Sequence, residues 1–196
     1  METNIIMVRH AESPFVFGEE RTRGLSEDGK AASMKVADIL DGMDIHFVCS
    51  SPYARAIQTV RHVADRRKLP IIAYEQLRER AIKGLDYKAP WEELLAAIER
   101  SFTDIQYALD GGESTWSARQ RAIPVIQQLL QEHEGGNIVI GTHGNIMAVI
   151  MQYFHEDYGY AFWNRTSKPD IYRLTFQHGE LQGVERMWDE KLHGKL

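Results

Sequence analysis

Cysteine is almost absent from this chain: Cys49 is the single thiol among 196 residues. An internal disulfide is therefore excluded, and the usage fits a reducing compartment, so a cytoplasmic location is expected. Long apolar runs are missing too. The stretch Ile5-Ile6-Met7-Val8 is too short for a signal-peptide core, and nothing approaches the ~20 apolar residues of a membrane span. Positive charge is in deficit, with 23 Lys and Arg against 28 Asp and Glu and a formal net charge of −5. Nucleic acid and anionic membrane surfaces are poor partners for such a chain. Its one basic cluster, Arg61, Arg66, Arg67 and Lys68, suits a helix C-terminus, where cations complement the dipole. His133, His155, His178 and His193 show no metal-ligand spacing such as H-E-x-x-H, and neither a metal nor a cofactor is expected. Repeats, low-complexity segments and long linkers are lacking as well.

What is there is the composition of an ordinary globule, 43% hydrophobic and 26% charged. The length suits one domain, here expected over 1–190 with a flexible tail at 191–196. Apolar runs predict strands at about 4–9, 47–49, 71–73 and 137–141, and two more at about 170–177 and 181–187 joined by His178-Gly179. Helical spacing predicts a helix capped by Ser26 that buries Ala32, Val36, Ile39 and Leu40. A second follows with Pro52 in its first turn and Ile57, Val60 and Ala64 inward. A third starts at Trp91 and ends near Asp110-Gly111-Gly112. A long one buries Ala118, Ala122, Val125, Ile126, Leu129 and Leu130, with Pro124 expected to kink or break it. An apolar helix covers 145–154. This alternation predicts a three-layer α/β/α sandwich with a mainly parallel sheet and an antiparallel strand near the C-terminus. The last strand, as a sheet edge, leaves room for a homodimer.

Two histidines close apolar strands. His10 ends Asn4-Ile5-Ile6-Met7-Val8-Arg9-His10, and His143 ends Asn137-Ile138-Val139-Ile140-Gly141-Thr142-His143. Carboxyl ends of strands are where open α/β sheets bind ligands. Adjacent parallel strands would bring the two imidazoles together beside Arg9. A histidine in a cationic nest is suited to receive phosphate. Phosphoryl transfer needs an in-line nucleophile, fixed donors for the oxygens and an acid for the leaving group. A neutral imidazole is a competent nucleophile near pH 7, provided its other nitrogen is held as a donor. Arginine grips phosphate bidentately, and the candidates are Arg9 and Arg55, the latter in the first turn of a helix whose N-terminus attracts anions. Glu79, in Leu77-Arg78-Glu79, is the candidate acid.

These residues stand in motifs that resemble the histidine phosphatase superfamily, the phosphoglycerate-mutase-like family. Val8-Arg9-His10-Ala11-Glu12-Ser13 is similar to its R-H-G-E-[ST] signature. Leu25-Ser26-Glu27-Asp28-Gly29 resembles L-[ST]-x-x-G, and Ser51-Pro52 through Thr59 matches S-P-x-x-R-A-x-Q-T in full. Leu77-Arg78-Glu79, Gly112-Glu113-Ser114 with Arg121, and Thr142-His143-Gly144 follow in the family's order. The resemblance implies a phosphohistidine at His10, with Arg9, Arg55 and His143 holding the phosphoryl group. Glu79 would protonate the leaving oxygen, and Asn164 falls where a pocket asparagine often stands. Glu113 is a candidate to orient Arg9 or Arg55, and Glu12 to hold its loop.

Three departures bear on function. Ala11 replaces the family's glycine, which strains the backbone if that position needs an unusual φ. Where the mutases carry an asparagine six residues after the histidine, this chain has Val16 between Phe15 and Phe17. The segment from Glu79 to Gly112 is also shorter than in the mutases. The expectation is a phosphatase acting on a small phosphomonoester and passing the phosphoryl group to water. Phe15 and Phe17, with Arg21, Arg23 and Asn164, are substrate-binding candidates, and Tyr87 and Trp91 could join an apolar leaving-group pocket. The alternatives are a cofactor-dependent phosphoglycerate mutase and a phospho-ligand or phosphoprotein-binding module with vestigial catalysis.

Overall fold

A computed structural model describes residues 1–189; the tail expected at 191–196 lies outside the described residues. Six strands form one sheet in the order β3-β2-β4-β1-β5-β6. They are β1 (Glu2–Arg9), β2 (Phe47–Ser50), β3 (Ile71–Ala73), β4 (Asn137–Thr142), β5 (Asp170–Gln177) and β6 (Glu180–Arg186). The first four are mutually parallel, while β5 runs antiparallel to β1 and β6 antiparallel to β5. The helices are α1 (Glu27–Leu40), α2 (Ala54–Arg67), α3 (Trp91–Thr103), α4 (Thr115–Glu132), α5 (Gly144–Phe154) and α6 (Tyr160–Arg165).

Alternate side chains of the central strands feed opposite cores, as the two-residue period of a strand requires. Ile5, Met7, Ile138 and Ile140 pack with α4 and α5, whereas Ile6, Val8, Val48 and Val139 pack with α1 and α2. Burial on both faces explains why these strands read as unbroken apolar runs. It also makes the three-layer sandwich. Among the described residues no helix is long and apolar enough to cross a membrane.

The connection leaving β1 runs toward the β3 edge, and the one leaving β4 runs toward the β6 edge. β1 and β4 are neighbours with Arg9 opposite Thr142. Their carboxyl ends therefore flank the switch point at which a doubly wound sheet opens a crevice.

Several local expectations need correction. α3 stops at Thr103, well before Asp110. The Thr103 hydroxyl donates to the Arg100 carbonyl at 3.0 Å, and the backbone turns at Asp104, an exchange of helix for side-chain bonding that Ser and Thr favour near helix ends. Pro124 does not break α4, which runs unbroken from Thr115 to Glu132; it lies on the exposed side, where the forfeited Gln120 carbonyl can meet water. Pro52 stands ahead of α2, whose cap is Tyr53. The inner face of α2 is Ala56, Thr59, Val60, Val63 and Ala64, with Ile57 only partly buried. Ser26 caps α1 as expected, accepting from Gly29 N–H. The β5–β6 hairpin has His178 and Gly179 at φ 51° and 80°, the pair of positive angles a type I′ turn demands.

Candidate active site

The parallel pairing of β1 with β4 brings the two strand-end histidines face to edge. Their ring centroids are 5.3 Å apart, and His10 N–H donates to the Thr142 carbonyl at 2.9 Å. His10 is 5% exposed and His143 fully buried. His10 Nδ1 lies 2.7 Å from its neighbour's carbonyl, Ala11 O. His143 Nε2 lies 2.7 Å from Ser51 Oγ, while its Nδ1 is buried with no hydrogen-bond partner among the described residues. Burial first, then the Arg55 charge, pushes the His10 pKa well below the ordinary imidazole range; burial first, then His10, does the same to His143.

Three arginines converge on this pair. Arg9 Nη1 donates to the Thr166 carbonyl at 2.9 Å and to the Thr166 hydroxyl. Its guanidinium lies against Gly144, where an added Cβ would stand 2.7–2.8 Å from Arg9 Cζ, Nε and Nη2. A glycine is required there because any side chain would displace the arginine. Arg55, second residue of α2 and 1% exposed, donates to the Glu20 carbonyl at 2.5 Å and to Glu20 Oε2 at 3.1 Å. Arg23 reaches the same carboxylate oxygen at 3.5 Å and holds Ser13 through its carbonyl and hydroxyl at 3.0 and 2.8 Å. The loop after β1 thus lays a carboxylate across two arginines. It is tied to α2 as well, because Ala54 N–H donates to the Arg21 carbonyl at 2.9 Å. Burial lowers the pKa of Arg9 and Arg55.

Glu79 enters from the other side. Its Oε1 accepts from Arg80 N–H at 2.9 Å and Ile146 N–H at 2.8 Å, and its Oε2 from Asn145 N–H at 3.2 Å. The carboxylate therefore rests on the N-terminus of α5, where the helix dipole favours negative charge, within electrostatic range of Arg9 and Arg55. Arg80, 4% exposed, fixes this segment by donating to the Glu113 carbonyl at 2.8 Å, Thr115 Oγ1 at 3.0 Å and Asn145 Oδ1 at 3.3 Å. Burial pushes its pKa down to about 10.

Arg9, His10, Arg55, His143 and Glu79 thus share one crevice, and Arg23 joins them through Glu20. Other candidates lie elsewhere. Arg21 forms a bidentate, exposed pair with Glu75. Asn164 is exposed on α6; the residue that touches Arg9 is Thr166, reached only after the helix ends and the chain turns back toward β1. Phe15 and Phe17 are 72% and 48% exposed, under Arg23 and Lys88 at 6.0 and 5.7 Å. Trp91 is also exposed, at 59%. Glu113 does not orient Arg9 or Arg55. It grips Arg121 at 2.6 and 2.7 Å and meets Arg78 at 3.7 Å. Glu12 holds its loop through the Ser26 hydroxyl at 2.7 Å. Ala11 is fully buried with a negative φ, its N–H donating to Thr59 Oγ1 at 3.0 Å; the backbone strain considered for this position is absent. Thr166, Arg80 and Glu20 are not marked by any sequence pattern, because each acts through contacts more than thirty residues away in the chain.

The model of the histidine phosphatase superfamily (branch 1) matches residues 5–189. Phosphoglycerate mutase-like protein 4 of Arabidopsis thaliana is 30% identical over 156 residues, covering 73% of this chain and 67% of the relative. The metal-independent phosphoserine phosphatase of the same plant is 28% identical over 161 residues, covering 76% and 67%. A mycobacterial glucosyl-3-phosphoglycerate phosphatase with inorganic phosphate superposes with a TM-score of 0.74 at 21% identity, over 93% of this chain and 94% of that one. With a family match over nearly its whole length and a sheet that joins the two strand-end histidines, the chain belongs to the histidine phosphatase superfamily and is an enzyme of the histidine phosphatase type.

Proposed function

We propose that this enzyme hydrolyses a small phosphomonoester through a phosphohistidine at His10. One observation carries the reading: His10 Nδ1 is 2.7 Å from the Ala11 carbonyl oxygen. A carbonyl only accepts, so Nδ1 holds the ring proton and Nε2 keeps its lone pair. Burial and the Arg55 charge keep the ring neutral. Nε2 attacks phosphorus, the P–N bond forms, and the bond to the ester oxygen breaks. Arg9 and Arg55 neutralise the equatorial oxygens, with Glu20 giving up Arg55 to the phosphate. Ser51 Oγ accepts from Tyr53 N–H at 3.3 Å, so its own proton can go to His143 Nε2. His143 Nδ1–H is then a buried donor for a phosphoryl oxygen.

Glu79 is the acid of the first step. Its Oε2 has a single, longer contact, which leaves a lone pair to carry the proton given to the leaving oxygen. In the second step Glu79 takes a proton from water, water attacks phosphorus, and the P–N bond breaks to release phosphate. The relaxed backbone at Ala11 removes the feature that favoured a vestigial binding module.

The test is phosphate release from a panel of phosphomonoesters at pH ~5–8 by the wild type and His10→Ala, with circular dichroism on both. The expected result is release by the wild type, none by a folded His10→Ala protein, and acid-labile phosphate trapped on the wild type alone. Full activity in folded His10→Ala would overturn the reading.

A further inference from the structure

Among the described residues the Arg55 guanidinium donates to one partner only, Glu20. That partner stands in the loop after β1 and keeps a third of its side chain in solvent. Arg55 Nε is buried without a partner. The proposed reaction has Glu20 release the Arg55 donors to a phosphate. A second contact must then keep a guanidinium that is only 1% exposed in the orientation the phosphoryl group needs.

The aromatic ring of Tyr53 is placed to do so. Arg55 Cζ lies 5.1 Å from the centroid of that ring, inside the ~6 Å over which a ring face attracts a cation. The face carries negative potential but no in-plane acceptor, so it holds the guanidinium without taking an N–H from it. A carboxylate or carbonyl in the same place would use donors that the phosphate must have. The ring is itself fixed from three directions. The backbone just after it is tied to the loop, where Ala54 N–H donates to the Arg21 carbonyl at 2.9 Å. Arg21 Cζ lies 5.4 Å from the same ring centroid, and its guanidinium is held bidentately by Glu75 at 2.9 and 2.7 Å. His143 makes a T-shaped contact with the ring at 5.1 Å. The Tyr53 hydroxyl, by contrast, makes no hydrogen bond among the described residues.

We propose that Tyr53 is a positioning residue whose ring, and not its hydroxyl, keeps Arg55 oriented for phosphate when Glu20 lets go. This rests on the phosphatase reading above and adds to it the group that steadies the arginine through the exchange of partners.

Two quantities test it: the Kd for inorganic phosphate by titration calorimetry, and kcat/KM on an aryl phosphate. The variants are Tyr53→Phe, Tyr53→Leu and replacement of Tyr53 by pentafluorophenylalanine, a ring of similar size whose face is no longer negative. Circular dichroism and Tm accompany each. Tyr53→Phe should stay within about twofold of the wild type on both quantities. Tyr53→Leu and the fluorinated ring should each weaken phosphate binding about tenfold, the size of one desolvated cation–π contact, and lower kcat/KM to match. In an Arg55→Met background the same changes should have almost no further effect, because the guanidinium they act on is gone. A fluorinated variant that binds phosphate as tightly as Tyr53→Phe would overturn the proposal, since the ring would then act by packing alone. A loss in Tyr53→Phe equal to that in Tyr53→Leu would overturn it by moving the role to the hydroxyl. An undiminished tenfold loss in the Arg55→Met background would overturn it by moving the role to His143. If Tyr53→Leu does not fold, the two aromatic variants decide alone. A wild type that binds phosphate but releases none from the aryl ester would overturn the phosphatase reading and leave the binding test of Tyr53 in force. A wild type that binds no phosphate would overturn both.

Discussion

Acid should unfold this protein earlier than its surface charges alone require, because the fold keeps two imidazoles neutral. His10 is 5% exposed and His143 is fully buried. Both have pKa values pushed well below the ordinary 6.5, by burial first, then by Arg55 for His10 and by His10 for His143. Below about pH 6.5 the unfolded chain binds a proton at each of these positions and the folded chain does not. Stability therefore falls as pH falls, since the unfolded state takes up more protons. Each group contributes about 1.4 kcal/mol per pH unit once the unfolded imidazole is fully protonated, so the pair contributes roughly 2.7 kcal/mol per unit. The slope approaches that value below about pH 5.5, down to the folded pKa values, and fades out above about pH 7. Against a typical total of about 5–15 kcal/mol it is a large loss.

Urea unfolding in phosphate-free buffers at half-unit steps from pH 7 to pH 5 measures it directly. His10→Asn should cut the slope contributed by the pair by about half, and so should His143→Asn, whatever each does to stability at pH 7. Exposed carboxylates cannot mimic this. Glu75, held low by its hydrogen bonds from Arg21, acts in the same direction but only below its ordinary value near 4.5. A wild-type slope between pH 6 and 5 unchanged in both variants would refute the claim that the fold holds these rings neutral.

Two further outcomes follow from the geometry. Gly144→Ala places a methyl within 2.8 Å of the Arg9 guanidinium; kcat/KM should fall about 100-fold, the scale of a misplaced catalytic group, while thermal unfolding shows a Tm equal to or slightly above the wild type because alanine favours the helix. Glu79→Gln should lower kcat on alkyl phosphates by about 10²–10⁴-fold, and steady-state comparison with an aryl phosphate, whose leaving group needs no added proton, should show a much smaller loss.

The fold was legible because its central strands are covered on both faces. Ile5 through Val8 and Ile138 through Ile140 are apolar without interruption, and this marks β1 and β4 as parallel core strands before any contact is known. The polar residues that end those runs are then forced to the carboxyl edge, so Arg9, His10 and His143 could be read from local pattern alone. Arg55 was readable for the same reason, one turn past a strand. What was not legible lay in tertiary contacts. Thr166 holds Arg9 across 157 residues, and Arg80 reaches Asn145 across 65. No spacing rule links such pairs. Helix ends failed where side chains competed with the backbone, as at Thr103, and Pro124 misled because its cost falls on an exposed face.

The site also concentrates the features that a stable core avoids. Buried side-chain donors without a partner include Arg9 Nε, Arg23 Nε, Arg55 Nε and His143 Nδ1, all of them in this one crevice. Each such group costs on the order of 1–3 kcal/mol when left unpaired, and cations crowded together add repulsion. The chain offsets part of this from within. Glu20 bridges Arg55 and Arg23, and Glu79 satisfies the α5 N-terminus beside Arg9. These two carboxylates differ in kind. Glu79 is anchored by three backbone donors and stays where it is when an anion arrives, as the acid and base of the proposed reaction must. Glu20 rides on a surface loop, one third exposed, and its contacts to Arg55 and Arg23 are the ones a phosphate can replace at little cost. The loop therefore lowers the expense of holding unpaired cations without competing strongly for the site. An anchored carboxylate in its place would stabilise the fold further and exclude the substrate.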